Sequence, residues 1–230
     1  METLLQVLSE DEKAGIHERT LKILAETGVR VETDKGRQIL KDAGAEVDEH
    51  KKVAKLSRSL VEEALRLAPR KFSLGARRPD WDFAVNAGNC TLMPDGEGIT
   101  IVDRRTGEHR PSTYNDWLEA TRLSDAVDEI GVYWAMAEPG EVQESIPDLI
   151  GHWRNMFRNF SKHIQDSSST AEESQWLLEV LQAIFGDKDA IRQKHPYSFL
   201  VCPQSPLIIE GQHTDAYLEL LGWDIPCLLY

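Results

Sequence analysis

The chain has 230 residues, a net charge of −13, 41% hydrophobic and 28% charged residues, the balance of an ordinary folded protein with room for one large domain or two small ones. Its 26 basic residues are scattered among 39 acidic ones, which argues against a nucleic-acid partner, because phosphate binding needs a basic stripe. No apolar run reaches the ~20 residues of a membrane span, and "METLLQVLSEDEKAG" has neither a basic start nor a small-residue cleavage site, so a cytoplasmic protein without a membrane partner is expected.

Residues 1–70 read as a helical segment. Ser9 and Glu12 form an S-x-x-E capping box ahead of a helix that Gly28 can end. Ile16, Thr20, Ile23, Leu24 and Thr27 share one stripe of it. A second helix runs from about Asp34 to Ala43 with Gly44 as its stop, and a third starts at Ser57 and ends before Pro69. Residues 71–111 change rhythm: "KFSLGA", "DFAVNAG", "NCTLMPDGEG" and "ITIVDRRTGEHR" alternate and are punctuated by glycine. They predict a small antiparallel sheet with a hairpin turn at Thr106 and Gly107.

Residues 112–230 alternate helix and strand. The helices fall at about 113–127, 146–160, 170–185 and 213–221, and the strands near 131–136, 162–165, 197–202 and 225–230. A capping box at Thr170 and Glu173 opens "WLLEVLQAIF", which Gly186 stops, and Gly222 stops the last helix. Strand starts lie about 28 to 36 residues apart, the size of a βαβ unit, so the pattern predicts a parallel sheet covered by helices. The final "IPCLLY" is a continuous apolar run, as expected of a parallel strand buried on both faces. A closed eight-stranded barrel takes ~250 residues, so the 119 residues from Ser112 predict the first half of one, truncated after its fourth strand.

Local chemical motifs are absent: there is no G-x-G-x-x-G, P-loop, H-E-x-x-H or G-x-S-x-G. "DGEG" at 95–98 reads as a turn. The seven histidines are dispersed, none at metal-ligand spacing with another His or a Cys, and no metal is expected. Cys90, Cys202 and Cys227 read as reduced thiols that fill space. The informative positions are geometric, because a parallel barrel binds its ligand at the C-terminal ends of its strands. That rule nominates Glu138, Gln165, Asp166, Gln204, Ser205 and Tyr230. Each has a plainer reading as turn or cap chemistry. Tyr133 and Trp134 are adjacent on the first strand and face opposite ways. The inward one either fills the core or offers its π face to a cationic ammonium group, and Trp134 joins the candidates on that basis. No catalytic residue is assigned.

Several stretches together resemble the trimethylamine methyltransferase (MttB-type) family. They are "LSEDEKAGIHERTLKILAETGVRVETDKGRQIL", "VEEALRLAPRKFSLGARRP", "DRRTGEHRPSTYNDWLEATRLSDAVDEI" and "CPQSPLII", in that order. The resemblance implies the N-terminal portion of a (β/α)8 TIM barrel, preceded by a helical segment and a small antiparallel sheet. It also implies a reaction, in which a methyl group passes from trimethylamine or a quaternary amine such as glycine betaine to the cob(I)alamin of a corrinoid protein. The chain itself would bind no cofactor tightly. Its implied partners are the corrinoid protein, the methylated amine and a missing C-terminal half, with a homo-oligomer left open. Pyrrolysine, which the trimethylamine enzymes carry in the later half of the barrel, would lie beyond Tyr230. The alternatives are a non-catalytic fragment or assembly module of that family, and an unrelated barrel enzyme such as a hydrolase, against which the lack of metal and nucleophile motifs counts.

Overall fold

A computed structural model describes residues 7–85, 90–96, 98–137, 139 and 146–229. Helix α1 (Glu10–Glu26) begins at its predicted cap. Ser9 Oγ accepts from the Glu12 N–H at 3.3 Å, and the Glu12 carboxylate accepts from the Ser9 N–H at 2.9 Å. The pair satisfies two of the amides that a helix start leaves open. Gly28 then takes φ +79°, and a Cβ there would meet the Ala54 backbone, so only glycine allows this close turn.

Residues 1–70 are more than helical. Between α1, α2 (Asp34–Asp42) and α3 (Arg58–Leu67) lie β1 (Val29–Val31), β2 (Glu46–Asp48) and β3 (Val53–Lys55). Three residues are too few to display a period of two, so pattern reading passes over such strands. The buried Val29, Val31 and Ala54 form a small core of their own beneath this sheet.

The described residues of 71–111 form two two-stranded sheets where one was expected. One pairs β4 (Phe72–Leu74) with β5 (Phe83–Val85), and the other pairs β6 (Thr100–Val102) with β7 (His109–Pro111). The intervening backbone bonds elsewhere. Gly75 N–H donates to His195 O at 2.9 Å, Arg78 N–H to Ser161 O at 2.9 Å, and Leu92 N–H to Glu129 O at 2.9 Å. Each hairpin is thus tied to the larger sheet that follows instead of to its neighbour.

The last section runs α4 (Tyr114–Ala126), β8 (Val132–Tyr133), α5 (Ile146–Asn159), β9 (His163–Asp166), α6 (Ala171–Phe185), α7 (Lys188–Lys194), β10 (Tyr197–Val201), β11 (Ile208–Ile209), α8 (Gln212–Leu220) and β12 (Cys227–Leu229). Helix α7 and strand β11 are additions to the predicted pattern. Strands β8, β9, β10 and β12 make one parallel sheet in that spatial order. Sequential neighbours in parallel register are what successive βα units produce, and the protein is mixed α/β. The described strands do not close on themselves: β12 pairs with β10 and β8 with β9.

The helices cover one face of this sheet. Trp117, Trp153, Met156 and Phe160 pack from the helical layer onto Tyr133, Ile164, Tyr197 and Phe199 of the strands, all 2% exposed or less. Each such side chain contributes roughly 1.5–3 kcal/mol by leaving water, which makes this layer the main core. Strand β11 leaves it and joins β1 in parallel, with Arg30 opposite Ile208. It completes a four-stranded sheet of order β11–β1–β3–β2.

Candidate functional site

Side chains alternate along a strand, so the face turned from the helices is set by register. Val132 lies opposite His163, and Tyr133 opposite Ile164. Tyr133 points into the helical layer, where its hydroxyl meets Thr121 Oγ1 at 2.8 Å and its ring packs 5.0 Å from Phe160. Burial pushes that phenol up to about 12. Trp134 therefore faces the other way. Carrying the register one residue further sets it beside Gln165, which in turn lies opposite Ser198. Trp134, Gln165 and Ser198 thus form one cross-strand row, with His163 one step toward the strands' N-terminal ends.

His163 is fully buried and bonded at both ring nitrogens. Nδ1 lies 2.8 Å from Gly75 O and Nε2 lies 2.9 Å from Ser198 Oγ. A carbonyl only accepts, so Nδ1 carries the proton and Nε2 accepts from the serine hydroxyl. Burial holds the ring pKa down, at about 4, and the imidazole is neutral at physiological pH. The result is a lock that fastens the segment after β4 under the inner face of the sheet. Lys162 beside it is also buried. Its Nζ donates to Val127 O at 2.6 Å and sits 4.4 Å from the centre of the Trp81 ring.

Above this lock the wall is incomplete. Gln165 is 3% exposed, yet its Nε2 has no hydrogen-bond partner among the described residues. Leaving a buried amide unpaired costs about 1–3 kcal/mol, and functional sites are where such costs are tolerated. The indole of Trp134 lies next to it, 6% exposed. One π face of that ring is covered by Gly96: a Cβ there would meet Cδ2, Cγ and Cε2 of the indole at 2.5–2.8 Å. Gly96 of "DGEG" therefore lies across the aromatic candidate.

The nominated residues divide. Trp134 and Gln165 come together on the inner wall. Asp166 pairs in register with Phe199 and so belongs to the opposite, helix-facing side, where it adds a smaller upward push to the hydroxyl pKa values of Tyr133 and Tyr197, which burial raises most. Gln204 and Ser205 are exposed. They occupy a turn closed by Gln204 N–H to Ile208 O at 2.8 Å and Ile208 N–H to Gln204 O at 2.9 Å, which feeds β11 into the N-terminal sheet. Glu138 and Tyr230 lie outside the described residues. His163, Ser198 and Gly96 were not singled out for this wall from sequence. The available signal was "HIQD", where His163 and Gln165 alternate with the apolar Ile164. Among the described residues no three His, Cys, Asp or Glu side chains converge as a metal site, and no helix is long and apolar enough to cross a membrane.

A second concavity of about 690 Å³ lies beside β12. Pro69, Phe72, His195, Tyr217 and Cys227 line it, and burial beside Tyr217 pushes the Cys227 thiol up to about 11. A thiol held protonated in this way is a poor nucleophile.

Comparison with known proteins places this geometry in a context. The family model for trimethylamine methyltransferase (MTTB) matches residues 2–229. The trimethylamine methyltransferase MttB of Desulfitobacterium hafniense (strain DSM 10664 / DCB-2) is 30% identical over 218 residues, covering 95% of this chain and 44% of the relative. The glycine betaine methyltransferase of Desulfitobacterium hafniense (strain Y51) is 31% identical over 216 residues, covering 92% and 44%. MttB of Methanosarcina barkeri (strain Fusaro / DSM 804) is 27% identical over 226 residues, covering 96% and 46%. The chain thus spans about half the length of the curated relatives it matches.

Proposed function

The chain belongs to the trimethylamine methyltransferase family, and we propose that it supplies the first part of a corrinoid-dependent methyltransferase acting on a methylated amine. The donor class follows from relatives named for trimethylamine and for glycine betaine. The observation that supports the reading within this chain is the inner wall: a buried indole beside a buried amide whose Nε2 has no partner among the described residues. An aromatic face attracts a methylated ammonium through its quadrupole, by about 0.5–2 kcal/mol. An amide N–H offers a hydrogen bond to an acceptor such as a donor's carboxylate.

In this reading the wall orients the ammonium so that one methyl points away from the sheet. Its task is positioning and electrostatics. The cob(I)alamin of a separate corrinoid protein would supply the nucleophile that takes the methyl group, and the N–CH3 bonding pair would stay on nitrogen as the amine leaves. The residues that hold that partner are not assigned on this chain. The open edge of β12 and the cleft beside it suit a continuing βα unit, and relatives about twice as long support a barrel completed by further chain.

Reconstitution tests the proposal. The 230-residue chain would be co-expressed with a polypeptide corresponding to the remainder of its relatives, then mixed with cob(I)alamin-loaded corrinoid protein and either trimethylamine or glycine betaine. Methylcobalamin absorbance should grow with one of the two donors. A well-formed complex that transfers from neither would leave the non-catalytic module as the better reading. Rapid turnover by the 230-residue chain alone would show that no further chain is needed.

A further inference from the structure

Gln165 stands one residue before the end of β9 (His163–Asp166). The pleat gives it to the inner face with His163, while Ile164 between them goes to the helical core. Gln165 is 3% exposed, and its Nε2 finds no partner among the described residues. An acceptor nevertheless stands close by. Ser198 lies opposite Gln165 on the neighbouring strand, and neighbouring strands run only about 4.8 Å apart. The serine hydrogen is committed to His163 Nε2 at 2.9 Å, which leaves its oxygen able to accept. The amide does not use it. The donor capacity of Gln165 is thus unspent beside a group that could take it, and a buried amide in that state weighs against the fold.

The neighbours of this amide on the same face are neutral or apolar. Burial keeps the His163 ring uncharged. Leu200, two residues on from Ser198, is buried and pairs with Leu228 of β12. The carboxylate of β9 belongs to Asp166, which the pleat turns to the helical side. A buried neutral donor bordered by leucines suits a ligand with alkyl groups, an acceptor oxygen and no net charge. A carboxylated quaternary amine is such a ligand, because its carboxylate cancels the charge on its methylated nitrogen. Trimethylamine, protonated at neutral pH, has a net positive charge and no acceptor atom. It would leave Nε2 unpaired.

We infer that Gln165 determines donor specificity: its Nε2 donates to the carboxylate of a betaine, so the chain takes a carboxylated quaternary amine in preference to trimethylamine. This role rests on the methylated-amine reading above and narrows it to one donor class. A site that hydrogen-bonds one ligand, and is left with an unpaired group by the analogue that lacks the partner atom, discriminates well between the two. One hydrogen bond from a neutral donor to a charged acceptor corresponds to about tenfold to a hundredfold in affinity.

The test titrates glycine betaine and trimethylamine into the full chain, with affinities read by calorimetry and the glutamine side-chain amides followed by nitrogen-15 resonance. The Gln165 pair is the one lost in Gln165→Met, which removes the donor and keeps the length. Gln165→Leu serves if the methionine variant fails to fold. Glycine betaine should shift the Gln165 pair and bind at least about tenfold more tightly than trimethylamine. The apolar variant should weaken betaine binding by the same factor and leave trimethylamine binding unchanged. Gln165→Glu should reverse the preference, because its carboxylate repels the betaine's own and attracts the ammonium. A purely structural role would move both donors alike. Equal affinity for the two donors, tighter binding of trimethylamine, or a preference that none of the variants alters overturns the role of Gln165 and keeps the methylated-amine reading. No binding of either donor by the wild type overturns that reading, and the role of Gln165 with it.

Discussion

Replacing His163 with Leu would test whether the base of the inner wall is held as described. Leucine has similar bulk, so the main loss is polar. Gly75 O and Ser198 Oγ, now bonded to the ring at 2.8 and 2.9 Å, would be left buried and unpaired. Each such group costs about 1–3 kcal/mol, so the variant should lose roughly 2–6 kcal/mol in urea unfolding at pH 7.5. The pH dependence is more specific. Burial holds the folded-state pKa of His163 at about 4, below the ordinary value of about 6.5. Between these values the unfolded chain binds the proton and the folded chain does not, so stability is fully present above 6.5 and falls as pH drops toward 4. At pH 5.5 one such histidine contributes a slope of about 1.2 kcal/mol per pH unit. His152, its ring tilted against Trp117 and its pKa held at about 4 by burial, adds a similar slope. The wild type should therefore lose stability steeply between pH 6 and 5, and the leucine variant about half as steeply. A variant as stable as wild type at pH 7.5, or one with an unchanged slope, would refute the lock.

Two further outcomes follow from particular contacts. Asp116 accepts from Arg110 at 2.7 and 2.9 Å and from the Thr113 N–H at 2.8 Å, and the guanidinium holds its carboxyl well below the usual range. Asp116→Asn should cost about 1–2 kcal/mol at pH 7, with the difference from wild type shrinking below about pH 4, where the unfolded chain takes up the proton that the folded carboxylate still refuses; urea midpoints across pH would show both. Gln165→Leu removes an amide that is buried with its Nε2 unpaired among the described residues, so the folded chain should be as stable or up to about 1 kcal/mol more stable, while donor binding weakens. A large loss of stability would mean that the amide serves the fold, not a ligand.

The parts of the fold legible in the sequence are those written in local chemistry. Ser9 and Glu12 announce α1, and Thr170 with Glu173 announces α6, although there the carboxylate reaches the Ser169 N–H at 2.6 Å. The Thr113–Asp116 box escapes a search for Ser/Thr followed by Glu because a shorter acid takes the same role. The parallel strands are legible from the spacing of apolar runs. The three-residue strands β1 to β3 and the two-residue β11 are too short to carry a pattern, and their pairing is decided by residues far along the chain. Adjacent Tyr133 and Trp134 are predictably on opposite faces, but which one turns inward depends on the helices that bury Tyr133. Gln165 and Asp166 look equivalent at a strand end, and the pleat separates them. The turn expected at "DGEG" is not tested, because residue 97 lies outside the described residues, and the approach of Gly96 to Trp134, 38 residues on, has no local signature.

Strand β11 carries a consequence for synthesis. Val31 pairs with Ile209, so once β1 has been made its sheet stays one strand short for about 180 residues of further translation. At ~5–20 residues per second that interval is roughly 10–40 s. During it β1 presents an unpaired edge, the kind of surface that chaperones and stray strands both find. The edge is flanked by Arg30, Glu32 and Lys52, joined in ion pairs at 2.7 and 3.0 Å, and charged side chains of this kind keep a nascent strand from pairing with a neighbour's. Charge-removing substitutions at these three positions would then show their effect in the yield of soluble chain during expression, before any is visible in the finished fold.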